Sequence, residues 1–117
     1  MFMRLAFFVS VVLLALVGAG IAAARPAKAH GTTVRVVAKD YSFKLSRKSV
    51  PHGSVTFTIK NEGKTSHDFS IAGHKSKTIG PGKSTTLVVT LKKGSDPYRC
   101  TVDGHASLGM KGVLKVT

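Results

Sequence analysis

Val55-Thr56-Phe57-Thr58-Ile59-Lys60 and Thr85-Thr86-Leu87-Val88-Val89-Thr90-Leu91 alternate apolar with polar residues and draw on β-branched and aromatic side chains. Period two is the pattern of a strand with one face in a core and the other in water, and these residue types suit a half-buried pleat. The same texture extends in both directions. It predicts strands at residues 33–39, 41–46, 54–61, 68–72, 75–79, 84–91, 97–101 and 112–117. Between them stand Pro51-His52-Gly53, Asn61-Glu62-Gly63, Gly80-Pro81-Gly82 and Gly94-Ser95-Asp96-Pro97, built from residues that permit positive φ or fix φ at a turn value. Helical periodicity, internal repeats and low-complexity segments are absent after the N-terminal segment. About eight short strands at this spacing predict an all-β chain, a two-sheet sandwich with Greek-key connections.

Upstream of this region the chain changes character. Met1 to Arg4 carry positive charge and lead into the apolar run Leu5 to Val17, followed by small residues. This reads as an export signal, a hydrophobic helix outside the fold. Small-x-small cleavage sites occur at Ala22-Ala23-Ala24 and Ala27-Lys28-Ala29; the second is preferred, because strand-like sequence begins just after it. The uncharged stretch from Leu5 to Ala24 also approaches the roughly 20 residues of a membrane span, so an uncleaved membrane anchor is the competing reading. The expected division is residues 1–29 as signal and residues 30–117 as one small domain.

Cleavage before His30 removes Arg4, Arg25 and Lys28 and leaves 15 basic residues against five acidic ones, a formal charge of +10. Such a surface attracts acidic proteins, anionic lipid heads or envelope polymers. The basic residues are scattered, with few aromatics between them, and no nucleic-acid-binding motif appears, so nucleic acid is not an expected partner.

Cys100 is the single cysteine. Small exported domains often lean on disulfides, which one cysteine cannot form within the chain, and metal ligation accounts for it. Cys100, His105 and Met110 recur at five-residue intervals in Tyr98-Arg99-Cys100-Thr101-Val102-Asp103-Gly104-His105-Ala106-Ser107-Leu108-Gly109-Met110-Lys111-Gly112. Thiolate, imidazole and thioether suit copper in both oxidation states, and two His with one Cys and a weak axial Met form a blue-copper site. The loop lacks the second histidine. Of the histidines at 30, 52, 67, 74 and 105, His67 is the best candidate. It follows Asn61-Glu62-Gly63-Lys64-Thr65-Ser66 and precedes Asp68-Phe69-Ser70-Ile71, where a loop enters a strand. In a sandwich that loop can share an end with the Cys100 loop. His52 and His74 lie in turns, and His30 would be a mature N-terminus able only to chelate loosely.

The run Val50-Pro51-His52-Gly53-Ser54-Val55-Thr56-Phe57-Thr58-Ile59-Lys60-Asn61, then His67-Asp68-Phe69, then Pro81-Gly82-Lys83-Ser84 and the Cys100-to-Gly112 loop resemble the plastocyanin/azurin-type cupredoxins. The resemblance covers essentially the whole mature domain. It implies an eight-stranded Greek-key β-sandwich with one type 1 copper ion held by His67, Cys100, His105 and Met110. The implied function is one-electron transfer between redox partner proteins by a periplasmic, cell-envelope or extracellular monomer, not an enzyme, with electrons leaving through His105 and the patch of Ala106, Leu108 and Gly109. Its basic surroundings would steer an acidic redox partner. Carriage or storage of copper in the envelope is the alternative for the same ligands, and a Cys100 nucleophile with His67 or His105 as base is disfavoured because Met110 would have no role.

Two positions depart from the family pattern. Asp68 stands where Asn commonly ties the two ligand loops together; its carboxylate can accept the same bonds from Thr101, and its charge should favour Cu(II). Asp103 replaces a common Pro before Gly-His, implying a more flexible loop.

Overall fold

A computed structural model of the chain describes residues 31–117. The segment read as a signal, residues 1–29, and His30 lie outside the described residues. Among the described residues, nine strands form two sheets: β1 Thr32–Lys39, β2 Ser42–Leu45, β3 Ser49–Val50, β4 Gly53–Asn61, β5 Ser70–Ile71, β6 His74–Lys75, β7 Ser84–Leu91, β8 Gly94–Arg99 and β9 Lys111–Val116. One sheet has the order β2-β1-β4-β7, the other β3-β9-β8-β5-β6. β1 runs parallel to β4 and β3 parallel to β9; the other pairs are antiparallel. The fold is the expected all-β sandwich.

The alternation sets which face is buried. Val34, Val36 and Ala38 of β1 and Val55, Phe57 and Ile59 of β4 point into the core, in a register that pairs Val34 with Phe57 and Val36 with Ile59. Val89 and Leu91 of β7 continue this face, and Leu114, Val116, Val50, Phe69 and Ile71 meet it from the other sheet. Phe69 joins the layers, its ring 5.1 Å from Phe57 and 5.4 Å from Phe43. Phe43 packs against both this main cluster and a smaller buried group of Ala38, Cys100 and Met110.

Four segments differ from the sequence expectation. Gly94-Ser95-Asp96-Pro97 is not a turn: β8 begins at Gly94 and pairs with β9 along its whole length. Pro97 is tolerated because β5 reaches only Tyr98 and Arg99, leaving Pro97 on an edge where a missing N–H costs nothing. The strand expected at residues 68–72 contracts to two residues, and that at 75–79 to His74–Lys75 plus an isolated bridge between His67 and Ile79. There part of the backbone bonding goes to side chains: Phe69 N donates to Ser76 Oγ and Asn61 Nδ2 donates to Ile79 O. Ser49–Val50 adds a short edge beside β9, which no period could mark in two residues.

Candidate metal centre

His67 enters from the loop after β4, and the sequence of that loop explains why it holds still. Asn61 ends the apolar face of β4 and is fully buried. Its Nδ2 donates to Thr65 O at 2.8 Å and to Ile79 O at 2.9 Å, while its Oδ1 accepts from Gly63 N at 2.8 Å. These three side-chain hydrogen bonds close the loop on itself and on Ile79. His67 then exchanges two backbone bonds with Ile79, at 3.0 and 2.8 Å.

Cys100 follows β8 and Met110 precedes β9, so paired strands deliver both ends of the second loop together. Cys100 N donates to Met110 O at 3.0 Å, and Met110 N to His105 O at 3.2 Å. Gly104, at φ +80, supplies the left-handed turn before His105. A 3₁₀ turn over Ala106–Leu108 returns the chain.

The side chains converge. His67 Nδ1 lies 3.1 Å from His105 Nδ1, and Cys100 Sγ lies 3.7 Å from the same nitrogen; the donor atoms of the three residues all fall within 4.8 Å of one another. Metal–nitrogen bonds of about 2.0 Å and metal–sulfur bonds of about 2.3 Å place the ligand atoms of one ion about 3–4 Å apart, and this spacing matches. Cys100 is 1% exposed, His67 and Met110 0%, and His105 9%. Met110 shares the small cluster with Cys100 and Ala38. Burial pushes the Cys100 thiol pKa up, so a cation is what would hold the sulfur as thiolate. One thiol and two imidazoles with no carboxylate among them form a copper-type donor set. The structure thus brings together the expected His67, Cys100 and His105, with Met110 beside Cys100; His52 and His74 are exposed and stand apart.

Asp68 is 2% exposed and grips the neighbouring loop: Thr101 N donates to Oδ1 at 2.6 Å and the Thr101 hydroxyl donates to Oδ2. The expected tie between the two ligand loops is present. Sequence reasoning missed Asp40 and Tyr41, in the turn between β1 and β2. His67 Nε2 bonds Asp40 Oδ1 at 2.6 Å, and the Tyr41 ring lies edge-on to His105 at 4.9 Å. A lone acid at a strand end, far upstream of its histidine, carries no local signal.

A family model described as the cupredoxin-like domain matches residues 8–116. Among solved structures, the dithionite-reduced auracyanin of the photosynthetic bacterium Roseiflexus castenholzii is 21% identical, covers 74% of this chain and 98% of its own, and has a TM-score of 0.64. Auracyanin B is 19% identical over 74% of this chain and 88% of its own, with a TM-score of 0.62. Auracyanin A, a "blue" copper protein of the green thermophilic photosynthetic bacterium Chloroflexus aurantiacus, is 18% identical over 74% and 99%, with a TM-score of 0.61. At these identities the likeness is one of fold. No curated protein matches the chain.

Proposed function

The chain belongs to the cupredoxin-like domain family, and on that premise we propose that it is an exported one-electron carrier whose copper ion is held by His67, Cys100, His105 and Met110. The observation that carries this reading is the convergence of two imidazole Nδ1 atoms and one thiol sulfur in a buried pocket backed by Met110. Copper bound there would supply a one-electron couple. The chain's own contribution is rigidity: both ligand loops are closed by internal hydrogen bonds and joined by the Asp68–Thr101 tie, so little needs to move between oxidation states.

Burial of Cys100 and Met110 excludes water from the sulfur ligands. His105 reaches the surface beside Tyr41 and Leu108, which are 37% and 62% exposed, and this apolar patch is where a partner would dock for electrons to pass through the imidazole. The excess of Lys and Arg over Asp and Glu in the sequence favours an acidic partner. Residues 1–29 would direct export.

Absorption spectroscopy of the purified, Cu(II)-loaded protein tests the site. An intense blue thiolate-to-copper band at one copper per chain is expected, with reversible one-electron voltammetry. A colourless protein with full copper occupancy would overturn the assignment. Release of the copper to an acceptor apoprotein in place of repeated redox cycling would assign carriage instead.

A further inference from the structure

We propose that Asp40 is a positioning residue for His67: its carboxylate fixes the imidazole in the tautomer that presents Nδ1 to the metal, and its negative charge lowers the reduction potential of the centre. The inference rests on the copper reading above for the potential, and on the metal-free geometry for the tautomer.

Three donors converge on this carboxylate. Oδ2 accepts from Lys64 N at 2.9 Å, and Oδ1 accepts from Thr65 Oγ1 at 2.9 Å and from His67 Nε2 at 2.6 Å. With the Lys64 N–H and the Thr65 hydroxyl already donating to it, the carboxylate faces His67 as an acceptor, and the 2.6 Å contact calls for a proton on Nε2. Of the two ring nitrogens, Nδ1 is then the one offered to a metal, and it lies 3.1 Å from His105 Nδ1 in the group that includes Cys100.

The packing keeps this contact in place. A Cβ on Gly63 would lie 2.9 Å from His67 Nε2 and would overlap Asp40 Oδ1. Glycine at position 63 is thus what permits the carboxylate and the imidazole to meet. The His67 side chain is fully buried, whereas that of Asp40 retains 22% exposure, so the anion stands at the boundary where solvent screens it only in part. A carboxylate bonded to the far nitrogen of a ligating imidazole fixes the ring and raises its basicity. The more basic donor, with its adjacent negative charge, binds Cu(II) better than Cu(I). A clasp that merely pinned the loop would move neither the tautomer nor the potential.

Asp40→Asn keeps an acceptor for Nε2–H and removes the charge; Asp40→Ala removes both. The Asn variant is expected to keep the blue band while its Cu(II)-to-Cu(I) affinity ratio falls at least threefold, a rise of about 28 mV at 59 mV per tenfold for one electron. Nitrogen-15 NMR of the metal-free protein supplies a second readout. His67 should be Nε2-protonated in the wild type and in Asp40→Asn, and a mixture of tautomers in Asp40→Ala. An unshifted potential in Asp40→Asn with the band intact would overturn the charge role, and an unchanged tautomer in Asp40→Ala the positioning role. A wild type that never forms the band removes the copper assignment and the potential with it, while the metal-free tautomer result is still read separately.

Discussion

The four-stranded sheet and the loop end carrying His67 and Cys100 are held together by opposite means. Along β1, β4 and β7 the buried positions recur at every second residue and are apolar until Asn61. At the loop end the buried set includes Asn61, His67, Asp68, Ser76 and His105. Each is individually bonded, and among the described residues no buried side-chain nitrogen or oxygen lacks a partner. Apolar contacts are interchangeable, since another side chain of similar volume restores most of the burial. A buried polar group left without its partner forfeits its full desolvation cost. The sheet therefore sets how stable the domain is, and the loop end sets how narrowly one arrangement is preferred.

The sharpest way to break that division is to damage the sheet and watch the metal centre. Phe57→Ala removes a fully buried ring stacked near Phe69, and a loss of about 3–5 kcal/mol is expected in urea unfolding. The absorption band of the molecules that remain folded should keep its position. A displaced band would mean that core and centre are one mechanical unit. Asn61→Ala strikes the other region, deleting two donated bonds and one accepted bond within the His67 loop. The expected loss is about 2–4 kcal/mol, at roughly 1 kcal/mol per bond with a share of unmet desolvation, and copper affinity should fall with it. Full copper affinity in a destabilised Asn61→Ala protein would show that the loop does not depend on this residue.

What could be read from the sequence follows the same line. The sheet is legible because its interaction repeats: six or seven alternating residues announce β4 and β7, and their buried faces fall as the period requires. The Cys100, His105 and Met110 spacing is legible because one loop carries it, and His67 because so few histidines compete. Gly94–Pro97 misled because turn-type residues were recruited into β8 by pairing with β9, an influence from a distant segment. Asp40 was invisible for the same reason. Its contact with His67 spans 27 positions and depends on the bare backbone at Gly63, which only the folded loop brings alongside.

Asp68→Asn is the mildest of these changes and the most discriminating. The side chain is nearly isosteric, and an amide keeps a carbonyl oxygen for Thr101 N while its NH₂ can donate to Thr101 Oγ1. The tie between the two loops thus survives in altered form, and the expected stability change is about 1 kcal/mol or less. The removed quantity is a buried negative charge one residue from His67 and bonded to the residue after Cys100. Cu(II) loses more by that removal than Cu(I), so voltammetry should show a raised midpoint potential. An unchanged or lowered potential would take Asp68 out of the electrostatics of the centre and leave it a structural tie. Asp40 bonds the ring of His67 and Asp68 bonds Thr101, with no partner in common, so the shifts of the two Asn variants should add in the double variant. A sum that falls short would mean that both carboxylates act by orienting the same loop, and the two halves of the loop end would then behave as a single element.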